Sequence, residues 1–151
     1  MLARISFGYV LGTVAAALVV GLNLALMKAL AQGLRDNASD IASMLLFVAI
    51  YATLFIGAAA LLPSVPLIVY AERNRLRSLR FYLAASVGAG IVGFELLAVG
   101  FGEFPIFSSL KALEAHAVQL LIFVVLPGLA AGWVYWGIAG REAGDTSRPF
   151  W

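Results

Sequence analysis

Residues 5–27 read ISFGYVLGTVAAALVVGLNLALM, twenty-three positions without a charge between Arg4 and Lys28. A helix needs about 20 apolar residues to cross the hydrocarbon core of a bilayer. A strand of a membrane barrel is about ten residues long and alternates in polarity, which this stretch does not. Inside lipid every backbone N–H and C=O must find its partner within the segment, and a helix achieves that alone. Three more blocks of this kind follow, over about 41–70, 81–102 and 117–139. The expected fold is therefore all-α: an integral membrane four-helix bundle, one transmembrane domain over 1–151, with 141–151 as a short cytoplasmic tail.

The whole composition agrees. The chain is 63% hydrophobic and 12% charged, with a mean hydropathy of +0.99, whereas soluble domains run near 25% charged. Cysteine is absent, which removes disulfides, thiolate nucleophiles, iron–sulfur clusters and Cys-ligated zinc. His116 is the sole histidine, so one chain cannot offer two histidines to a haem or a metal. No nucleophile elbow, phosphate-binding glycine loop, HExxH or catalytic carboxylate pair occurs. The expectation is a non-enzymatic protein with no catalytic residues, no metal and no cofactor.

Charge placement predicts the threading. The connector after the second block is Glu72-Arg73-Asn74-Arg75-Leu76-Arg77-Ser78-Leu79-Arg80. Arg73, Arg75, Arg77 and Arg80 outweigh its one acid, so by the positive-inside rule this basic loop is cytoplasmic. Four spans then put both termini in the cytoplasm, and Arg4 and Arg141 fit that side. Tyr70, Phe81, Tyr82, Trp133, Tyr135 and Trp136 fall near the same membrane edge, where amphipathic rings concentrate. The loop arginines are expected to meet anionic lipid headgroups, at about 1 kcal/mol each, and not nucleic acid, since no base-reading fold accompanies them. Ala29-Leu30-Ala31 looks like a signal-peptide cleavage site, but the preceding apolar run exceeds the usual 7–15 residues and reads as a span.

Prolines and small residues shape the rods. The uncharged run 41–71 would reach about 46 Å as one helix, more than the ~30 Å core. Pro63 and Pro66 predict a kink or break in the second helix, and Pro127-Gly128 a kink in the fourth, because each proline removes a donor and crowds the preceding turn. The carbonyls freed in the fourth helix need side chains, neighbouring helices or water. Gly8-xxx-Gly12, Ser86-xxx-Gly90, Ala89-xxx-Gly93 and Gly128-xxx-Gly132 offer smooth faces for close helix contact. Asp36, Ser39 or Asp40 can cap the second helix.

One ionisable residue sits well inside a span. Glu95 lies about 20 Å along the third helix from Phe81, where a charge costs about 2.5–3.5 kcal/mol on insertion scales. At similar or shallower depth come Tyr51, Asn23 and Gln119, with Lys28 and His116 at the outer edge. These six predict a polar cluster in the outer half of the bundle. It could titrate around Glu95 in moving a proton or solute. The competing account is a glutamate that only binds helices together.

Ala71-Glu72-Arg73-Asn74-Arg75-Leu76-Arg77-Ser78 leading to Phe81-Tyr82, and Gly132-Trp133-Val134-Tyr135-Trp136-Gly137-Ile138-Ala139-Gly140-Arg141, resemble segments of uncharacterised small four-span inner-membrane proteins of proteobacteria. The resemblance covers the inner ends of three spans. It implies a four-helix fold in a bacterial inner membrane and brings no activity or site. The expected function is that of an accessory or assembly component of a membrane complex, partnered by the bilayer and by another membrane protein or a second copy of this chain. The alternative is a small oligomeric transporter or channel that uses Glu95.

Overall fold

The computed structural model describes residues 2–32, 38–100, 114 and 117–143, and all its elements are helical. Helix α1 is Leu2–Gln32, α2 is Ala38–Arg73 and α3 is Leu79–Gly100. The fourth rod enters through a π-helical turn, Leu121–Val125, continues as α4, Leu126–Ile138, and ends in a 3₁₀ turn, Gly140–Glu142. Four stretches are long and apolar enough to cross a membrane: Ala3–Lys28, Thr53–Arg73, Leu79–Leu97 and Ala117–Ile138. Three of these stretches lie within a few residues of the expected 5–27, 81–102 and 117–139, whereas the second begins at Thr53 instead of about 41. Helix α2 begins at Ala38, which puts Ser39 and Asp40 inside its first turn instead of at its cap.

The helices pack in a ring, α1 against α2, α2 against α3, α3 against α4 and α4 back against α1. What lies inside is small. The buried positions are chiefly alanines, glycines and a threonine, among them Ala16, Ala17, Ala89, Ala139 and Thr13, and no large side chain among the described residues is fully buried. Large apolar side chains face outward instead, including Leu22 at 64% exposure, Leu54 at 65% and Leu62 at 73%. A water-soluble bundle does the reverse, since burying a leucine is worth about 1.5–3 kcal/mol there.

Small residues let the backbones touch. Gly12 meets α4, where a Cβ would lie 3.1 Å from the Ala131 carbonyl oxygen. Gly132 faces α3 still more closely, with a Cβ position 2.6 Å from the Tyr82 carbonyl oxygen. Gly8 and Gly128 also abut neighbouring helices. The glycine pairs expected to form contact faces therefore do so within one chain.

The prolines act differently in the two rods. Helix α2 runs without a break through Pro63 and Pro66. Pro63 leaves the carbonyl of Ala59 without its i+4 donor. There α3 presents Gly93, where a Cβ would stand 3.1 Å from the Ala59 oxygen. In the fourth rod the chain widens into the π turn just ahead of Pro127, a common adjustment at a proline or functional site.

The α2–α3 loop is built by its backbone. The N–H of Leu76 donates to Ala71 O at 2.9 Å and that of Arg75 to Glu72 O at 3.3 Å. These two bonds are the Schellman closure of a helix. Its left-handed position, usually glycine, is Arg75 at φ 51°, at a cost of about 1 kcal/mol relative to glycine. Leu76 then packs on the cluster around Ala71, as the motif's hydrophobic contact requires.

Two glycines on one helix separate close contact from chance. Gly132→Ala should lower stability by about 1–3 kcal/mol, as overpacking does, while Gly137→Ala, where a Cβ meets nothing within 4 Å, should leave it unchanged or slightly raised. Thermal unfolding of the purified variants, followed by circular dichroism, checks both.

Candidate functional site

The strongest polar constellation gathers where α1 begins, α2 ends and the chain leaves α4. Arg4 is 7% exposed. Its Nη1 donates to Glu142 Oε2 at 3.0 Å and its Nη2 to the Glu142 carbonyl at 2.8 Å. Nη2 also lies 3.7 Å from Glu72 Oε1, a looser ion pair whose carboxylate is buried too. Arg4 Nε is buried and has no acceptor among the described residues. One guanidinium thus joins three helix ends, with its planar fork matched to a carboxylate and a carbonyl.

The loop and the C-terminal turn close around it. Arg77 Nε donates to Ala143 O at 3.3 Å, while Trp136 Nε1 donates to Arg77 O at 2.8 Å. Tyr82 donates its hydroxyl to Leu76 O at 3.0 Å. The Arg141 guanidinium lies 4.3 Å over the Trp136 ring, a cation–π contact. Gly140 allows Tyr82 to lie against the turn, since a Cβ there would be 2.6 Å from the tyrosine ring. The aromatics form a chain, Tyr70 to Phe81 to Tyr82 to Tyr135, with ring centroids 6.2, 5.4 and 5.5 Å apart. Tyr82 and Tyr135 are buried in this cluster.

The basic loop resolves into two kinds of arginine. Arg77 is fixed to the C-terminal turn, whereas Arg73, Arg75 and Arg80 are exposed and have no acceptor among the described residues.

Asn23 answers the fourth rod's proline. The Leu126 N–H donates to Leu121 O, five residues back. Ile122 O would next take the N–H of residue 127, which proline lacks. Asn23 Nδ2 supplies that donor from α1, 2.7 Å from Ile122 O. This is the neighbouring side chain that the freed carbonyl was expected to require.

The other members of the expected outer cluster are placed as follows. Tyr51 is exposed on α2, its ring 4.2 Å from that of Phe47. Gln119 is exposed. Glu95 and Lys28 are half-buried, and neither lacks an interaction. His116 lies outside the described residues, as does the tail from residue 144. Glu72, Glu142 and Arg4, which form the tightest ionic cluster, were not expected together. Their signal was present: two acids sit beside arginines at helix ends whose charges are otherwise basic.

A cavity of about 160 Å³ runs between all four helices. Tyr9, Ala60, Ala85, Ala89 and Gly128 are on its wall, and Glu95 is not. The hydroxyls of Tyr9, Thr13, Tyr82 and Ser86 along it already donate to backbone carbonyls. Among the described residues no group of three metal-ligating side chains occurs.

No family model, curated protein or solved structure matches the chain. Fold and site together define a four-helix bundle turned inside out, with small residues within, large apolar ones without and an ionic clasp at one end.

Two substitutions test these assignments. Arg4→Met should cost about 3–5 kcal/mol, because it leaves Glu72 buried without its cation, and Glu142→Gln, which keeps an acceptor, should cost much less. Asn23→Ala should cost about 1–3 kcal/mol by leaving Ile122 O unanswered. That loss should shrink markedly in a Pro127→Ala background, where the backbone donor returns. A double-mutant cycle in unfolding free energy gives the coupling directly.

Proposed function

We propose that this chain is a multi-pass protein of a bacterial inner membrane and that it acts without catalysis, as an accessory or assembly component of a membrane complex. The exposed apolar stripe of α2 carries the reading. Phe47, Ile50, Leu54, Leu61, Val65 and Val69 all point outward at helical spacing. Lipid covers such a face readily, and so does another transmembrane helix. The polar groups on the inner side of the bundle support the same reading, since Asn23, Tyr9 and Arg4 each bind one helix to another.

In this reading the arginine loop and both termini are cytoplasmic, by the positive-inside rule. Arg73, Arg75 and Arg80 meet anionic headgroups. Pro63 and Pro66 bend α2, and the π turn with Pro127 bends the fourth rod. The transporter alternative has less support. The central cavity is apolar-walled and Glu95 is not on its wall, so a conducting path would have to form between copies.

A photo-crosslinking residue at Leu54 or Leu62, in cells at native expression, tests the proposal. The expected product is one discrete protein adduct, whose mass distinguishes a foreign partner from a second copy. Lipid adducts alone, together with a lone monomer on mild-detergent purification, would contradict it.

A further inference from the structure

The central cavity is half-open, and the seam between α2 and α3 is its loosest wall. Tyr9 and Thr13 seal the α1–α2 seam against Gly57. Gly8 and Gly12 bring α1 onto α4, and Gly128 and Gly132 bring α4 onto α3. The α2–α3 seam has the sparsest contact of the four. Its helices meet where Gly93 faces Ala59 and again at the loop, where Tyr70 lies by Phe81. Between these two points Ser64, Leu67, Ala85 and Ser86 border the cavity and remain half-exposed.

Four properties of this opening define a ligand. Its wall is chiefly apolar, and the hydroxyls of Tyr9, Thr13, Tyr82 and Ser86 on it are engaged with backbone. A cavity of about 150 Å³ takes a six-carbon hydrocarbon, so one of 160 Å³ takes a comparable segment of an alkyl chain. The distance from Arg80 to Gly93 is about 20 Å along α3, close to the ~15 Å depth of one leaflet. The seam is also framed at its loop end by cations. Arg73 closes α2 and Arg80 opens α3, both exposed and without an acceptor among the described residues.

We propose that one acyl chain of an anionic phospholipid lies between α2 and α3 with its hydrocarbon in the central cavity, and that Arg73 and Arg80 hold its phosphate. The proposal rests on the membrane reading above. It makes the lipid part of the folded bundle, filling a space that the protein's own side chains leave empty. The small size of Ala60, Ala85 and Ala89 then serves ligand volume as well as helix approach. It also gives the exposed arginines a task apart from threading.

Electron paramagnetic resonance of the full chain in phosphatidylcholine vesicles tests this, using trace phosphatidylglycerol or phosphatidylcholine spin-labelled on the acyl chain. The expected spectra show, with both labels, a motionally restricted component beyond the ordinary boundary lipid that corresponds to one site per chain, larger for phosphatidylglycerol. Its preference over phosphatidylcholine should be about thirtyfold, from two arginines at the surface. Ala85→Phe should abolish the restricted lipid by filling the cavity, and Ala60→Leu, a milder change, should do the same. Arg73→Gln with Arg80→Gln should remove most of the headgroup preference while leaving the chain restricted. Equal restriction of the two lipids in the native sequence, or a signal untouched by both filling variants, would overturn the proposal. Failure of the chain to remain in the vesicles would sink the membrane reading as well, whereas retention without the extra restricted lipid sinks this inference alone.

Discussion

Arg4 holds two acids, one from the middle of the sequence and one from near its end. Its guanidinium takes the side chain and the backbone of Glu142 and lies against Glu72. Buried ion pairs are poor sources of net stability, because desolvation offsets much of the attraction. Their value here is positional. With Arg4 fixed, the start of α1, the last turn of α2 and the turn after α4 have one relative arrangement. Arg77 and Trp136 then bind the α2–α3 loop to the same place. The four rods are thereby gathered at one end, and the close backbone contacts at Gly8, Gly132 and Gly140 become geometrically accessible.

Away from that end the bundle is held by shape and by backbone repair. Alanines and glycines occupy the interfaces, so stabilisation comes from many short-range contacts and little from burying large apolar groups. Each proline creates a local debt of hydrogen bonding. Asn23 answers the one that Pro127 leaves at Ile122, and Gly93 lets α3 approach the one that Pro63 leaves at Ala59. The central hollow is the counterpart of this economy of side chains. Walls made of alanine and glycine bring helices together in pairs, yet four such pairs around a ring leave the middle unfilled.

Much of the fold is legible in the sequence because apolar run length and glycine spacing are local signals. Residues 5–27 and 81–102 read as helices at once, and the pairs Gly8–Gly12 and Gly128–Gly132 do make contact faces. Helix α2 was harder. Pro63 and Pro66 predict a kink or break; the helix continues without a break, and the α3 backbone that comes up to Ala59 is a neighbour that sequence does not show. Depth counting placed Asn23 and Tyr51 in one cluster because depth ignores which way a side chain faces. Asn23 turns to the carbonyl of Ile122, while Tyr51 faces outward beside Phe47. The ionic clasp was hidden for a different reason. Arg4 and Glu142 stand 138 residues apart, and charges at helix ends read as topology until the ends are brought together.

The account depends most on what surrounds the outward-facing leucines and phenylalanines. The native sequence has no cysteine, so single nitroxide-labelled cysteines can be placed along α2 at Leu54, Ala59, Leu62 and Val65, and at Arg75 in the loop, with the protein in vesicles. Collision rates with oxygen, which partitions into lipid, and with a charged nickel chelate, which stays in water, report the environment of each. The account predicts high oxygen and low chelate access at 54, 62 and 65, restricted access to both at 59, and high chelate access at 75. Chelate access at 54, 62 and 65 equal to that at 75 would contradict it, because the apolar face would then lie in water.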